Sequence, residues 1–426
     1  MGIFKTLREA WGVPEIRKKM LFTLLMLIIF RIGNNIPVPG INRSVLTELF
    51  NGGTGLFALF DLFSGGAFSN FTIFALSITP YITASIILQL LTIAIPALER
   101  LAREGEEGRK KIAQYTRYLT VVLALIQAIG LTVGMFRRAL ISTSPFNVAV
   151  IVLVLTAGTA FLMWLGEQIN EHGIGNGISL LIFGGIVSRL PSAVHSTWVS
   201  FRAGETSIVT ILIFLIFAII VILGIIEIQQ GTRKIPVQYA KRVVGRKMYG
   251  GQSTHIPLKV NQAGVIPVIF SLSLLQFPLT ITYFFANTSY TEFVQKWLSP
   301  YGNPGVWIYI VLNVILTFFF TYFYTAIIFN PNEVSANMKA NGGFIPGIRP
   351  GKATTDYLNK VMSRITFVGA IFLAVISSMP YLISNFTTMD FRFGGTSLLI
   401  AVGVALEFMK ALENQMVMRN YEGFLK

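Results

Sequence analysis

Residues 61 to 98 read DLFSGGAFSNFTIFALSITPYITASIILQLLTIAIPAL. The stretch begins as a glycine-rich turn and ends as a membrane helix. Phe71 to Ala94 is long enough to cross a bilayer, which needs about 20 apolar residues. Taken as a helix from Ile78, positions Ile78, Ile82, Ser85, Gln89 and Thr92 share one narrow stripe. The stripe is apolar at first and polar towards its C-terminal end. Lipid tolerates the isoleucines but not Gln89, so the stripe faces a neighbouring helix or water. Ahead of it, Phe63-Ser64-Gly65-Gly66-Ala67-Phe68-Ser69-Asn70 is too short and too rich in glycine to span anything. A short half-helix leading into a full one is a device of membrane pores and binding sites.

Outward from this stretch, long apolar runs recur along all 426 residues. Hydrophobic residues make up 53% and charged ones 12%, against about 25% charged in a soluble domain. The chain is therefore predicted to be an all-α polytopic membrane protein. It has no cysteine, which excludes disulfides, thiolate catalysis and Cys-ligated metals. The net charge of +15 sits in loops, where it reports topology first. No cleaved signal is expected, because the first apolar run begins only at Met20 and no small-residue cleavage site follows it. Gly2 to Trp11 reads as an amphipathic helix on a membrane surface.

Ten spans are predicted. They are Met20 to Ile36, Phe71 to Ala94, Tyr118 to Phe136, Phe146 to Leu165, Gly175 to Leu190, Ser207 to Ile228, Asn261 to Phe285, Gly305 to Phe329, Ile365 to Phe386 and Thr396 to Met418. An even number puts both termini on one side. With that side cytosolic, 26 of the 34 Lys and Arg residues face the cytosol, so the positive-inside rule fixes both termini there. Arg137 and Arg138 count against it. Two cytosolic loops are long and basic, 229–260 and 330–364. They are either solvated connectors or a docking surface for a large partner; loops of about 30 residues are uncommon unless functional. Five spans in 1–190 and five in 191–426 would be oppositely oriented halves, with the working site at their interface.

Catalytic signatures do not emerge. His172, His195 and His255 are far apart and none sits in an H-E-x-x-H pattern. Pro346 to Ala353 fails as a phosphate loop, since Pro346 stands where the first glycine belongs and Ala353 where Ser or Thr belongs. No enzyme activity, metal or cofactor is expected. Intramembrane charge is sparse: Glu227 lies at a span end, Arg31 can snorkel, and Glu407 has only Lys410 nearby. Isoleucines recur instead, with Ile182 and Ile186 one turn apart. Gln262, Ile269, Ser273 and Gln276 form another stripe, and Asn313, Thr317 and Thr321 a third. Such residues fit helix–helix glue or pore lining; an apolar constriction between wet mouths gates by dewetting.

Six stretches together resemble the SecY family, the pore subunits of the bacterial protein translocation channel. They are NNIPVPG from Asn34, FSGGAFSNFTIFALSITPYITASIILQLL from Phe63, GIGNGIS from Gly173, GVIPVIF from Gly264, GFIPGIRPG from Gly343 and GGTSLLI from Gly394. The resemblance implies two inverted five-helix halves around a central hourglass pore. It implies a pore ring of Ile78, Ile82, Ile182, Ile186, Ile269 and Ile400, and a plug at about 61–70 that includes Phe63, Ser64, Gly65, Gly66, Ala67, Phe68 and Ser69. It implies a lateral gate between the second and seventh spans, with Ser85, Gln89, Thr92, Ser273 and Gln276 as polar members. Arg349 would serve the SecA motor, and Lys241, Arg242, Arg246 and Lys247 would meet SecA or the ribosome. The implied partners are SecE and SecG, SecA, the ribosome, unfolded preproteins with signal sequences, and the phospholipid of the cytoplasmic membrane. A secondary transporter with inverted repeats is the alternative; it would need a polar midplane site where these isoleucines stand.

Overall fold

The computed structural model describes residues 3–42, 44–46, 64–204, 207–239, 242–244, 247–249, 253–282, 288–300, 304–386 and 395–423. Helix α1 (Ile3–Gly12) precedes α2 (Pro14–Gly33), the first expected span. The next span departs from expectation. Residues 65–78 run as successive turns, and α3 (Thr79–Ala94) starts only at Thr79. Two causes are visible. Phe71 and Ser77 adopt left-handed backbone, with φ of 44° and 53°, which no α-helix accommodates. Pro80 also has no N–H to bond the carbonyl four residues back, so a helix can begin at Thr79 but does not run through from before it. At 16 residues, α3 is about 24 Å long, short of a hydrocarbon core of about 30 Å. The turns at its outer end make up the difference. At its other end α4 (Pro96–Arg103) breaks away at 100°.

The chain continues through α5 (Glu106–Ile129), extended by a wider π-helical turn at Gly130–Met135, then α6 (Pro145–His172) and α7 (Gly177–Val187). Helix α8 (Leu190–Arg202) follows α7 closely, and α9 (Ile208–Gln230) returns. After the first long loop come α10 (Ile266–Ile281), the short α11 (Ser289–Trp297) and α12 (Gly305–Ile328). The second long loop holds α13 (Pro331–Ala340), and α14 (Lys352–Phe386) and α15 (Gly395–Gly423) close the chain.

Among the described residues, six helical stretches are long and apolar enough to cross a membrane, or seven if the bent α3–α4 pair is one span. The other expected spans are α2, whose first turns carry Arg17, Lys18 and Lys19; α10, which has only 16 residues; and α15, which carries Glu407, Lys410 and Glu413.

Helices α2, α3, α5, α6 and α7 pack among themselves, as do α9, α10, α12, α14 and α15. The two sets meet where α3 packs on α10 and where α7 and α2 pack on α15.

The two long loops do not stay apart. Strands β1 (Thr232–Tyr239) and β4 (Ser253–Lys259) pair antiparallel, with Ile235 opposite Ile256. Strand β5 (Gly343–Phe344), from the other loop, adds to the free edge of β1. Strands β2 (Arg242–Val244) and β3 (Lys247–Tyr249) form a separate small ribbon. Along β1, Ile235 and Val237 turn inwards while Lys234 and Pro236 turn out, the period of two that a half-buried strand shows. Ile235, Val237 and Leu258 share a core with Met338, Ile345, Leu358, Val361 and Met362. The apolar residues at 358–362 explain why α14 begins at Lys352 rather than at Ile365: its first turns are a structural part of this platform.

Candidate functional site

The six isoleucines come from four helices. Ile78 sits at the N-cap of α3 and Ile82 on its first turn; Ile182 and Ile186 lie on α7, Ile269 on α10 and Ile400 on α15. All six are buried and belong to one apolar cluster. Both seams contribute: α3 and α10 bring one side together, α7 and α15 the other. Such a collar offers no hydrogen bond and no charge.

The turn segment packs against this cluster. Ala67 and Phe74 are part of it, and Phe68 and Phe71 set their rings edge-on to Phe136, at 5.8 and 4.8 Å. Of the expected plug residues, Phe63 lies outside the described residues, and 65–70 are turns rather than helix. The segment is held from two sides. Asn34 Nδ2 donates to the Ser64 carbonyl at 3.2 Å. Arg31 Nη1 donates to the Gly65 carbonyl at 3.2 Å and to Ser188 Oγ at 3.1 Å, tying α2, the turn and the end of α7 together. Arg31 therefore does not simply snorkel. Gly65 has φ +63°, and a Cβ there would stand 2.8 Å from the Gly185 Cα. Downstream, Val38 N–H donates to the Phe71 carbonyl and Ile73 N–H to the Ile36 carbonyl, each at 3.0 Å. The NNIPVPG stretch is thus the strand-like partner of the segment that follows the glycines. On the opposite side Gly158 of α6 lets the chain come close: a Cβ there would lie 1.9 Å from the Ile73 carbonyl oxygen.

Helices α3 and α10, the second and seventh spans, pack side by side. Of the expected polar gate residues, Gln276 is buried, and Ser85, Gln89, Thr92 and Ser273 are half-buried. Thr92 Oγ1 donates to the Leu88 carbonyl of its own helix. Gln89 instead reaches α12, where its Oε1 accepts from the Tyr324 hydroxyl at 2.9 Å. Behind α10 lies a polar knot. Ser271 Oγ donates to Asn313 Oδ1 at 2.9 Å, and Asn313 Nδ2 donates to Ser377 Oγ at 3.0 Å, linking α10, α12 and α14. Of the stripe of Asn313, Thr317 and Thr321, all buried, Asn313 joins neighbouring helices, whereas Thr321 Oγ1 donates to the Thr317 carbonyl of its own helix. Asn313→Leu should lower stability by about 1 kcal/mol, read as an earlier unfolding midpoint in detergent; no shift would mean that the knot adds nothing.

On the platform, Arg349 is exposed in the Pro346–Gly351 tip. Backbone oxygens brace the tip: Ser335 Oγ donates to the Gly351 carbonyl at 2.9 Å and Thr354 Oγ1 to the Arg349 carbonyl at 3.0 Å. Arg242 and Lys247 lie in the β2–β3 ribbon, opposite Tyr249 and Val244 respectively. Lys241 and Arg246 lie outside the described residues.

A model of the SecY family matches residues 72–409. The chain belongs to the SecY family. It is 49% identical to the protein translocase subunit SecY of Halalkalibacterium halodurans, covering 100% of both chains. The SecY subunit of Thermotoga maritima is 45% identical, over 100% of this chain and 98% of that one. Solved structures share the fold. A protein-conducting channel superposes with a TM-score of 0.66 at 21% identity, covering 96% of this chain and 97% of the other. Sec61 in a canine ribosome–channel complex superposes with a TM-score of 0.63 at 19% identity, with the same coverage. The polytopic helical architecture predicted from the sequence is the family's.

Proposed function

We propose that the chain is a protein-conducting channel that passes unfolded secretory polypeptides across the cytoplasmic membrane. Membrane segments leave it sideways, between α3 and α10. The observation that carries this reading is the convergence of Ile78, Ile82, Ile182, Ile186, Ile269 and Ile400 at the meeting of two helix sets. A deformable apolar collar suits a chain of any sequence, because it makes no bond that must later be broken. The turn segment at 64–69 is the plug, on the outer side. The termini and the platform face the cytosol, where the basic residues concentrate. Docking and energy come from SecA or the ribosome at the platform, and SecE and SecG brace the two halves in the membrane. An apolar signal helix enters the seam because its side chains gain by facing lipid.

The test uses the absence of native cysteine. Ile78→Cys and Ile269→Cys should each crosslink to a secretory polypeptide stalled in transit, while an exposed lipid-facing control such as Ile220→Cys should not. Crosslinking at the control alone would put the path elsewhere.

A further inference from the structure

We infer that α1 is a strap that ties the first helix set to the last helix of the second, so that the channel opens where α3 meets α10 and stays shut where α7 meets α15; this rests on the channel reading above. Helix α1 packs on α2, which follows it, and on α15, at the far end of the chain. Thr6 and Ala10, one turn apart, are buried, while Arg8, Glu9 and Trp11 are exposed. The inner face is therefore spent on protein. Ala10 shares a cluster with Ile16 of α2, Ile174 of the turn between α6 and α7, and Leu412 of α15, with Phe408, Met409 and Met416 at its edge. Ala10, Ile174 and Leu412 are fully buried. Ile174 is itself fastened to α2, where its N–H donates to Thr23 Oγ1 at 3.1 Å. Beside it Gly175, at φ +81°, brings the turn against α15: a Cβ there would stand 3.9 Å from the Phe408 Cα. The first helix set thus grips α15 between Phe408 and Met416.

A strap holds only if it is stiff along its length. One residue, Val13, separates α1 from α2. Its backbone is extended, with φ −95° and ψ 113°, as the following Pro14 demands, and Pro14 fixes its own φ. The Val13 N–H donates to the Ala10 carbonyl at 3.1 Å, and the Val13 carbonyl accepts from the Arg17 N–H at 2.9 Å, so both sides of the elbow are pinned. A pull on α15 away from α7 is therefore carried into α2 rather than taken up by slack. Ile182 and Ile186 stand on α7 and Ile400 on α15. Holding those helices together keeps that side of the collar in place while Ile78, Ile82 and Ile269 move. The collar then widens from one side only.

The test uses the full-length chain, which has no native cysteine. Export of a secretory reporter is read in a bacterium depleted of its own channel subunit, and resting conductance in a planar bilayer. Ala10→Cys with Leu412→Cys should crosslink on oxidation, and the locked chain should export at the unlocked rate. Val13→Gly frees the elbow and leaves Ala10 and Leu412 in place. It should raise resting conductance about twofold to fivefold, the weight of the backbone freedom that glycine restores, with the protein level unchanged. Added to the Val13→Gly chain, the same cysteine lock should restore silence. A purely structural role would lower the protein level and leave the leak unrepaired by the lock, which sinks the strap. A lock that stops export, a cysteine pair that does not crosslink, or a Val13→Gly channel as silent as the unaltered one sinks it equally. Failure of the unaltered chain to export the reporter overturns the channel reading, and the strap with it.

Discussion

Deleting Phe63 to Ser69 is expected to turn a silent resting channel into one that conducts ions steadily across a planar bilayer, while substrate still passes. The physical basis is local. The six isoleucines are held together by packing alone, and Ala67 belongs to the same cluster. Among the bonds that seat the proposed plug segment are Asn34 to the Ser64 carbonyl and Arg31 to the Gly65 carbonyl. A milder variant isolates the seat. Gly65→Val places a branched side chain at a left-handed φ, 2.8 Å from the backbone of Gly185. Strain of that kind costs about 1–3 kcal/mol, enough to shift a closed–open balance roughly tenfold. Gly65→Val should therefore leak in bursts where the deletion leaks continuously. Unchanged conductance in both variants would remove the plug assignment.

What the sequence made legible follows the range of the forces involved. The eighth span is predicted from Gly305 to Phe329 and observed from Gly305 to Ile328, because an uninterrupted apolar run has no other stable state in lipid. The isoleucines were legible as periodic positions on single helices, and the family motif placed Ile400 beside them. Non-local events were hidden. The apolar composition of 71–77 carries no trace of the two left-handed residues that unwind it. The third strand of the platform, Gly343–Phe344, is a two-residue element paired over a separation of about a hundred residues, which no periodicity announces. Tyr324 sits in an aromatic run of the eighth span, and nothing in the sequence marks its bond to Gln89. Arg31 was visible as a charge in a membrane helix, but its acceptor is a backbone carbonyl, which sequence never labels.

Arg349→Glu is expected to reduce motor-driven transport to near background without disturbing the fold. The tip that carries it is built from backbone: Ser335 and Thr354 hold the carbonyls of Gly351 and Arg349, and proline and glycine fix the turn between them. Neither brace depends on the side chain at 349. Among the described residues the guanidinium has no ion pair, so reversing its charge costs the chain itself little. On the proposed reading its value lies in the partner it meets. Removing one member of a desolvated charge pair costs about 2–5 kcal/mol, and a reversed charge adds repulsion, so transport should fall by roughly thirtyfold or more. Arg349→Lys separates charge from shape: it keeps the cation but loses the planar fork, and should retain part of the activity. The variants should keep the unaltered protein's melting behaviour and its silence in a resting bilayer. That combination of a sealed, folded channel and stalled transport assigns the defect to docking. Normal transport by Arg349→Glu would mean that the motor engages the platform elsewhere, with the β2–β3 ribbon around Arg242 and Lys247 the next surface to reverse.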